Sequence, residues 1–142
     1  MAVTRTANAH WEGPLLDGGK GTVSLDSSGS GSFAVTWASR SAEPAGQTSP
    51  EELIGAAHAA CYSMALSNGL AKAGFTDITL DTRADVGFTP GVGITGSHLT
   101  VRASVPGITA EQFVDQAEQA KAGCPVSKAL AGTTITLDAA LA

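Results

Sequence analysis

Apolar and polar positions alternate in the first quarter of the chain. The alternation is loose over residues 3–11 and ends at Trp11, which predicts a strand. Asp17-Gly18-Gly19 is a turn signal, after which Val23 and Leu25 alternate with polar residues. A Ser/Gly turn from Ser27 to Ser32 leads to Phe33, Val35 and Trp37 on one face. Three short strands joined by short turns predict an antiparallel meander. Residues 38–47 read as a small-residue loop.

The period then changes. Ser49-Pro50-Glu51-Glu52 has the form of a helix start, with Ser49 and Glu52 able to cap each other and Pro50 at the first helical position. From Leu53 to Leu66 no residue is charged and Gly or Ala fills nearly half of the positions. A helix that is apolar all round is buried, and its small residues admit another backbone at close range. It is too short to span a membrane, and its end is expected near Gly69 or Gly74.

Strict alternation returns over residues 77–88, with Leu80, Thr82, Ala84 and Val86 on one face and Asp81, Arg83 and Asp85 on the other. Pro90-Gly91 makes a turn, and Leu99, Val101, Ala103 and Val105 mark a partner strand with His98 and Arg102 outward. Thr109 and Gln112 form a capping-box pair for a second helix, which Gly123 is expected to terminate. A short helix beginning at Pro125 and a last strand around Ile135, Leu137 and Ala139 complete the order β-β-β-α-β-β-α-α-β. This is an α+β chain with an antiparallel β-sheet and a long buried central helix.

Composition narrows the function. A chain of 142 residues is expected to form one domain, spanning 1–142. Its net charge of −5 argues against nucleic acid and anionic membranes as partners. The N-terminus has no apolar signal core, so a cytoplasmic protein is expected. Two cysteines are too few for a disulfide scaffold, and they lack metal-ligand spacing.

Cys124 precedes Pro125, so it is placed at a helix N-cap, where amide donors stabilise a thiolate. Cys61, in the central helix, has only Ala, Tyr and Ser beside it and needs a cation to lower its pKa. Arg83 and Arg102 lie on solvated strand faces and the lysines on turns and helix surfaces, which leaves Arg40 first and Arg5 second. An arginine at a buried thiol needs an anion, and Glu51 or Glu52 can supply it. Glu51 lies ten residues before Cys61, about 15 Å along a continuous helix, so it would reach a Cys61 site only from a second, oppositely running copy. His58, one turn before Cys61, allows a Cys–His nucleophile or, with Cys124 and His98, a metal site. Trp11, Phe33, Trp37 and Phe88 read as core.

The stretch from Ser49 to Leu66, the Ala9–Gly13 start, the Gly-Lys-Gly turn at Gly19–Gly21 and the Glu118–Ala129 segment closely resemble the OsmC branch of the OsmC/organic hydroperoxide resistance (Ohr) family. The resemblance implies a thiol-dependent peroxidase for organic hydroperoxides, built as an intertwined homodimer. By position, Cys61 matches the peroxidatic thiol, Cys124 the resolving thiol, Arg40 the activating arginine and Glu51 its carboxylate partner. It implies no metal, haem or flavin cofactor, and reduction by an external dithiol such as a lipoyl group. A Cys61–Cys124 disulfide is then expected. Two other readings remain: a hydrolase of the thioesterase kind using Glu51 or Glu52, and an apolar ligand-binding module with inert cysteines.

Overall fold

The computed structural model describes residues 1–142, which divide into two compact units, Met1–Pro50 and Glu51–Ala142. The first holds the expected meander: β1 (Asn8–Glu12), β2 (Lys20–Ser24) and β3 (Ser32–Thr36), all antiparallel. Trp11 stands opposite Gly21, and a Cβ on Gly19 or Gly21 would come within 2.7 Å of its ring. The Gly-Lys-Gly turn therefore clears space for an indole. Trp11 and Phe33 are nonetheless each 41% exposed, so neither is the core residue its alternation predicts. A lone meander has no second layer to cover its face.

The segment after β3 also departs from expectation. Trp37 opens a short helix, α1 (Trp37–Ser41), instead of extending the strand, and Arg40 sits in its last turn and not in a loop. The cause is a capping box built with serine. Thr36 Oγ1 accepts from the Ser39 amide at 3.1 Å, and Ser39 Oγ accepts from the Thr36 amide at 3.0 Å. A Thr-x-x-Ser pattern is a weaker start signal than Thr-x-x-Glu, so pattern reading passes it over. Ser39 Oγ also lies 2.8 Å from the Thr48 carbonyl, where Thr48 bridges to Val35.

The second unit is built on α2 (Pro50–Lys72), which begins at Pro50 as expected. Only one stripe of it is buried, through Glu51, Gly55, His58, Tyr62, Leu66 and Leu70. Burial all round is thus not what one chain provides: Ala56, Ala57 and Ala60 are exposed, and Met64 is 72% exposed. The helix closes at Gly74, whose φ of 98° lets the Phe75 amide turn back to the Leu70 carbonyl at 3.0 Å.

β4 (Thr79–Thr89) and β5 (Gly93–Ser104) pair antiparallel around the turn at Pro90–Gly91, and β6 (Thr134–Leu141) lies on the other side of β5. β5 and β6 run parallel, which corrects the all-antiparallel expectation. Two helices, α3 (Ala110–Gly123) and α4 (Pro125–Ala129), fill the connection and carry the chain back to the starting end of the sheet. Leu99, Val101 and Ala103 face inward from β5 to meet Tyr62, Leu66 and Phe113 in the core. Tyr62 Oη donates to the Ala117 carbonyl at 3.1 Å, and Ser63 Oγ lies 2.7 Å from Thr82 Oγ1, tying α2 to α3 and β4. The α3 cap is the Thr109–Gln112 pair the sequence predicts.

Gly123 does not end α3 by turning left-handed. It is the last helical residue, and the break falls at Cys124, whose φ of −61° and ψ of 124° are extended. Pro125 imposes that conformation on the residue before it. Gly123 is exposed and a Cβ there would meet nothing within 4 Å, so Gly123→Ala should raise stability by about 0.5–1 kcal/mol in urea unfolding. A loss of stability would instead indicate a left-handed cap.

Candidate active site

Cys124 is at once the C-cap of α3 and the N-cap of α4. Pro125 has no amide to offer, so the first free donors of α4 are the Val126 and Ser127 amides. Both reach the Cys124 sulfur, and the Val126 amide also reaches Cys61. The two thiols act on each other's titration, and both are in the free, unbridged form. Cys124 is fully buried and Cys61 half-buried.

Their titrations are pushed apart. Burial raises the Cys61 thiol; the Val126 amide offsets this in part, and the contact with Cys124 adds to the rise. Burial acts in the same sense on Cys124. There it is outweighed by the bonds from the Ser127 amide, the Cys61 thiol, the Ser127 hydroxyl and the Val126 amide, and Cys124 is lowered.

Beneath the thiols lies a polar group that the sequence reading only half anticipated. His58 is fully buried, with Nδ1 2.7 Å from Ser97 Oγ and Nε2 2.8 Å from Ser127 Oγ. Burial lowers its pKa and keeps the ring neutral. Both ring nitrogens are engaged by serines, and His98 pairs with Thr136 on the exposed face of β5, so His58, Cys61, Cys124 and His98 do not assemble as a metal site. Two signals could have found the serines. Ser97 stands two residues before Leu99, in the core-facing register of β5, where a polar side chain needs a partner. Ser127 is three residues after an N-cap, the position from which a side chain reaches back.

The remaining predicted residues are distributed as follows. Glu51 is buried in the first turn of α2, and the helix is continuous from there past Cys61, so the two are separated by about 15 Å of rise within a chain. Arg40 belongs to the first unit, half-buried at the end of α1. Arg83 and Arg102 pair with Asp85 and Asp138 on exposed strand faces, as expected. No helix is long and apolar enough to cross a membrane.

Comparison with known proteins matches residues 43–138 to the family described as OsmC-like protein. The chain is 47% identical over 141 residues to the peroxiredoxin OsmC of Escherichia coli (strain K12), covering 97% of this chain and 96% of that protein. Among solved structures, an organic hydroperoxide resistance protein from Elizabethkingia anophelis is 25% identical with a TM-score of 0.63, covering 100% of this chain and 99% of that one. An OsmC from Legionella pneumophila, 20% identical over 100% of this chain and 98% of that one, has the same fold with a TM-score of 0.66.

The neutral His58 carries a pH signature. An unfolded histidine titrates near 6.5, and burial holds the folded one below that. The unfolded state therefore binds the extra proton first, so this contribution to stability is complete above about pH 6.5 and is lost as pH falls. The urea midpoint of reduced protein should drop between about pH 7.5 and 5.5, and His58→Gln should flatten that part of the drop. An equal slope in both proteins would show that His58 does not resist protonation.

Proposed function

Because the chain belongs to the OsmC-like protein family, we propose that it is a thiol peroxidase that reduces organic hydroperoxides to alcohols through Cys61 and Cys124. The observation that carries this reading is the pair of free thiols that act on each other's titration, one half-buried and one fully buried, in a relative of a peroxiredoxin. Cys61, the more accessible, attacks the distal oxygen of ROOH as a thiolate. The O–O bond breaks, the alkoxide leaves as ROH after taking a proton, and Cys61 becomes a sulfenic acid. The Cys124 sulfur then attacks the Cys61 sulfur, and hydroxide leaves as water after taking a proton. An external dithiol, of the lipoyl kind, reduces the resulting disulfide and restores both thiols.

Such a cycle needs the charge on Cys61 when peroxide arrives, whereas burial raises the Cys61 thiol. Arg40 is the proposed source of the missing positive charge, with Glu51 as its anchor. Glu51 lies three turns of α2 from the Cys61 of its own chain, which favours a homodimer whose α2 helices run in opposite directions. The exposed Ala56, Ala60 and Met64 stripe of α2 suits that approach. The whole chain, 1–142, serves as one domain in this reading, since every residue of the buried apolar cluster lies in the second unit and the first has no core of its own. A thioesterase-like hydrolase or a ligand-binding module would leave the thiol pair without a role.

Cumene hydroperoxide should consume both thiols of each reduced chain rapidly. Cys61→Ser should abolish turnover, and Cys124→Ser should react once and stop at a sulfenic acid. Retention of both thiols in the native protein would remove the peroxidase reading. Arg40→Ala should shift the pH profile of Cys61 alkylation upward, and an unmoved profile would transfer the role to Arg5. Mixing Cys61→Ser with Glu51→Ala chains should restore up to about a quarter of native activity if subunits exchange freely and Glu51 acts across the dimer. No recovery after verified exchange would place Glu51 in the service of its own chain.

A further inference from the structure

A cleft of about 220 Å³ lies between α2 and α3. From α2 it is lined by Ala65, Asn68, Gly69 and Lys72, a single helical stripe that begins one turn after Cys61. From α3 it is lined by Gln116, Gln119, Ala120 and Gly123, and the next residue of the chain is Cys124. Along α2 the lining runs from about 6 Å to about 16 Å beyond Cys61. A Cβ on Gly123 would meet nothing within 4 Å, so the end beside Cys124 is open space.

Four of the lining side chains are polar, and none of Asn68, Lys72, Gln116 and Gln119 has a hydrogen bond or ion pair to another residue of the chain. Other charged groups nearby are engaged: Glu118 holds Lys121 on α3 at 2.7 Å. Gln116 is half-buried, and its Oε1 would lie 2.9 Å from a Cβ on Gly69. A glycine inside a helix weakens it. Here it lets the Gln116 carboxamide lie against α2. No carboxylate lines the cleft, and Lys72 is its one charged residue, in a chain of net charge −5.

A carboxamide presents donors and an acceptor, and a lysine presents three donors and a positive charge. That set suits an anion. Its place in the fold selects the kind. Lys72 ends α2, where the helix macrodipole is negative and opposes a dianion such as phosphate, whereas a single carboxylate needs only one cation and a few donors. We propose that the cleft is a carboxylate subsite: Lys72 and the carboxamides of Asn68, Gln116 and Gln119 hold the acid end of an acyl ligand whose other end reaches Cys61.

That the reaching end carries a hydroperoxide or a dithiol rests on the thiol-peroxidase reading. The span from the lining to Cys61 asks for a chain of medium length, since acetate held at Lys72 would end far from the sulfur. Contacts made at the remote acid orient the reacting end, so an acid should be favoured over its ester. Lys72 is exposed, so the preference should fade with added salt.

The first test reads binding without turnover. Octanoate should slow iodoacetamide alkylation of Cys61 in the reduced protein, followed by peptide mass, and methyl octanoate should slow it much less. Lys72→Met should weaken octanoate protection about tenfold, the loss of one charge-assisted contact, and Lys72→Arg should retain it. The side-chain amide resonances of Asn68 and Gln119 should move as octanoate is added. Octanoate that fails to protect, protects no better than its ester, or protects Lys72→Met equally well overturns the proposal. Turnover then separates the two sources of the acid. One arm compares ω-hydroperoxyoctanoic acid with its methyl ester in the oxidation of the thiols. The other compares dihydrolipoate with dihydrolipoamide in their reduction. An acid preference abolished by Lys72→Met in the first arm assigns the subsite to the hydroperoxide, and in the second to the reductant. Octanoate protection in a native protein that consumes no peroxide would remove the peroxidase reading and leave the carboxylate subsite standing.

Discussion

A buried imidazole has to satisfy two nitrogens of opposite character, and His58 does so with serines from two different elements. That requirement fixes α2 against β5 on one side and against the α4 corner on the other. The corner carries Cys124 and α2 carries Cys61, so the same constraint sets the meeting of the thiols. Apolar packing among Tyr62, Leu66, Leu99 and Phe113 supplies the bulk of the burial but tolerates small slips. A pair of hydrogen bonds at 2.7 and 2.8 Å does not.

Much of this was legible in the sequence where local rules coincide with tertiary demands. Pro50, the Thr109–Gln112 box and the inward register of Leu99, Val101 and Ala103 are local patterns, and they stand where periodicity puts them. Cys124 was readable for the same reason, since a proline after it dictates an N-cap. What escaped reading depends on distant partners. The direction of β6 follows from how two helices return the chain, not from its own alternation. Ser97 and Ser127 acquire meaning only through a histidine 39 and 69 residues away. The α1 helix was hidden by a serine acting in the place of a longer carboxylate.

The exposed side of α2 shows why a sequence can describe more than a chain. Its residues are apolar on nearly every face, yet the fold of one chain covers a single stripe. In the proposed homodimer, that excess apolar surface is where a second copy would pack. The first unit carries the same message in another form, since its Trp11 and Phe33 have β-strand spacing without a core to enter.

The corner at Cys124 has an effect on the unfolded chain as well as on the folded one. A bond between the two sulfurs would close a loop over the 62 residues that separate them, and with it β4, β5 and α3. In the chain-entropy picture a loop of that length removes about 4 kcal/mol worth of disorder from the denatured ensemble. The proposed redox cycle would then also be a cycle in durability. The oxidised protein would resist unfolding and proteolysis when oxidant is abundant, and the reduced protein would turn over more readily once the stress has passed.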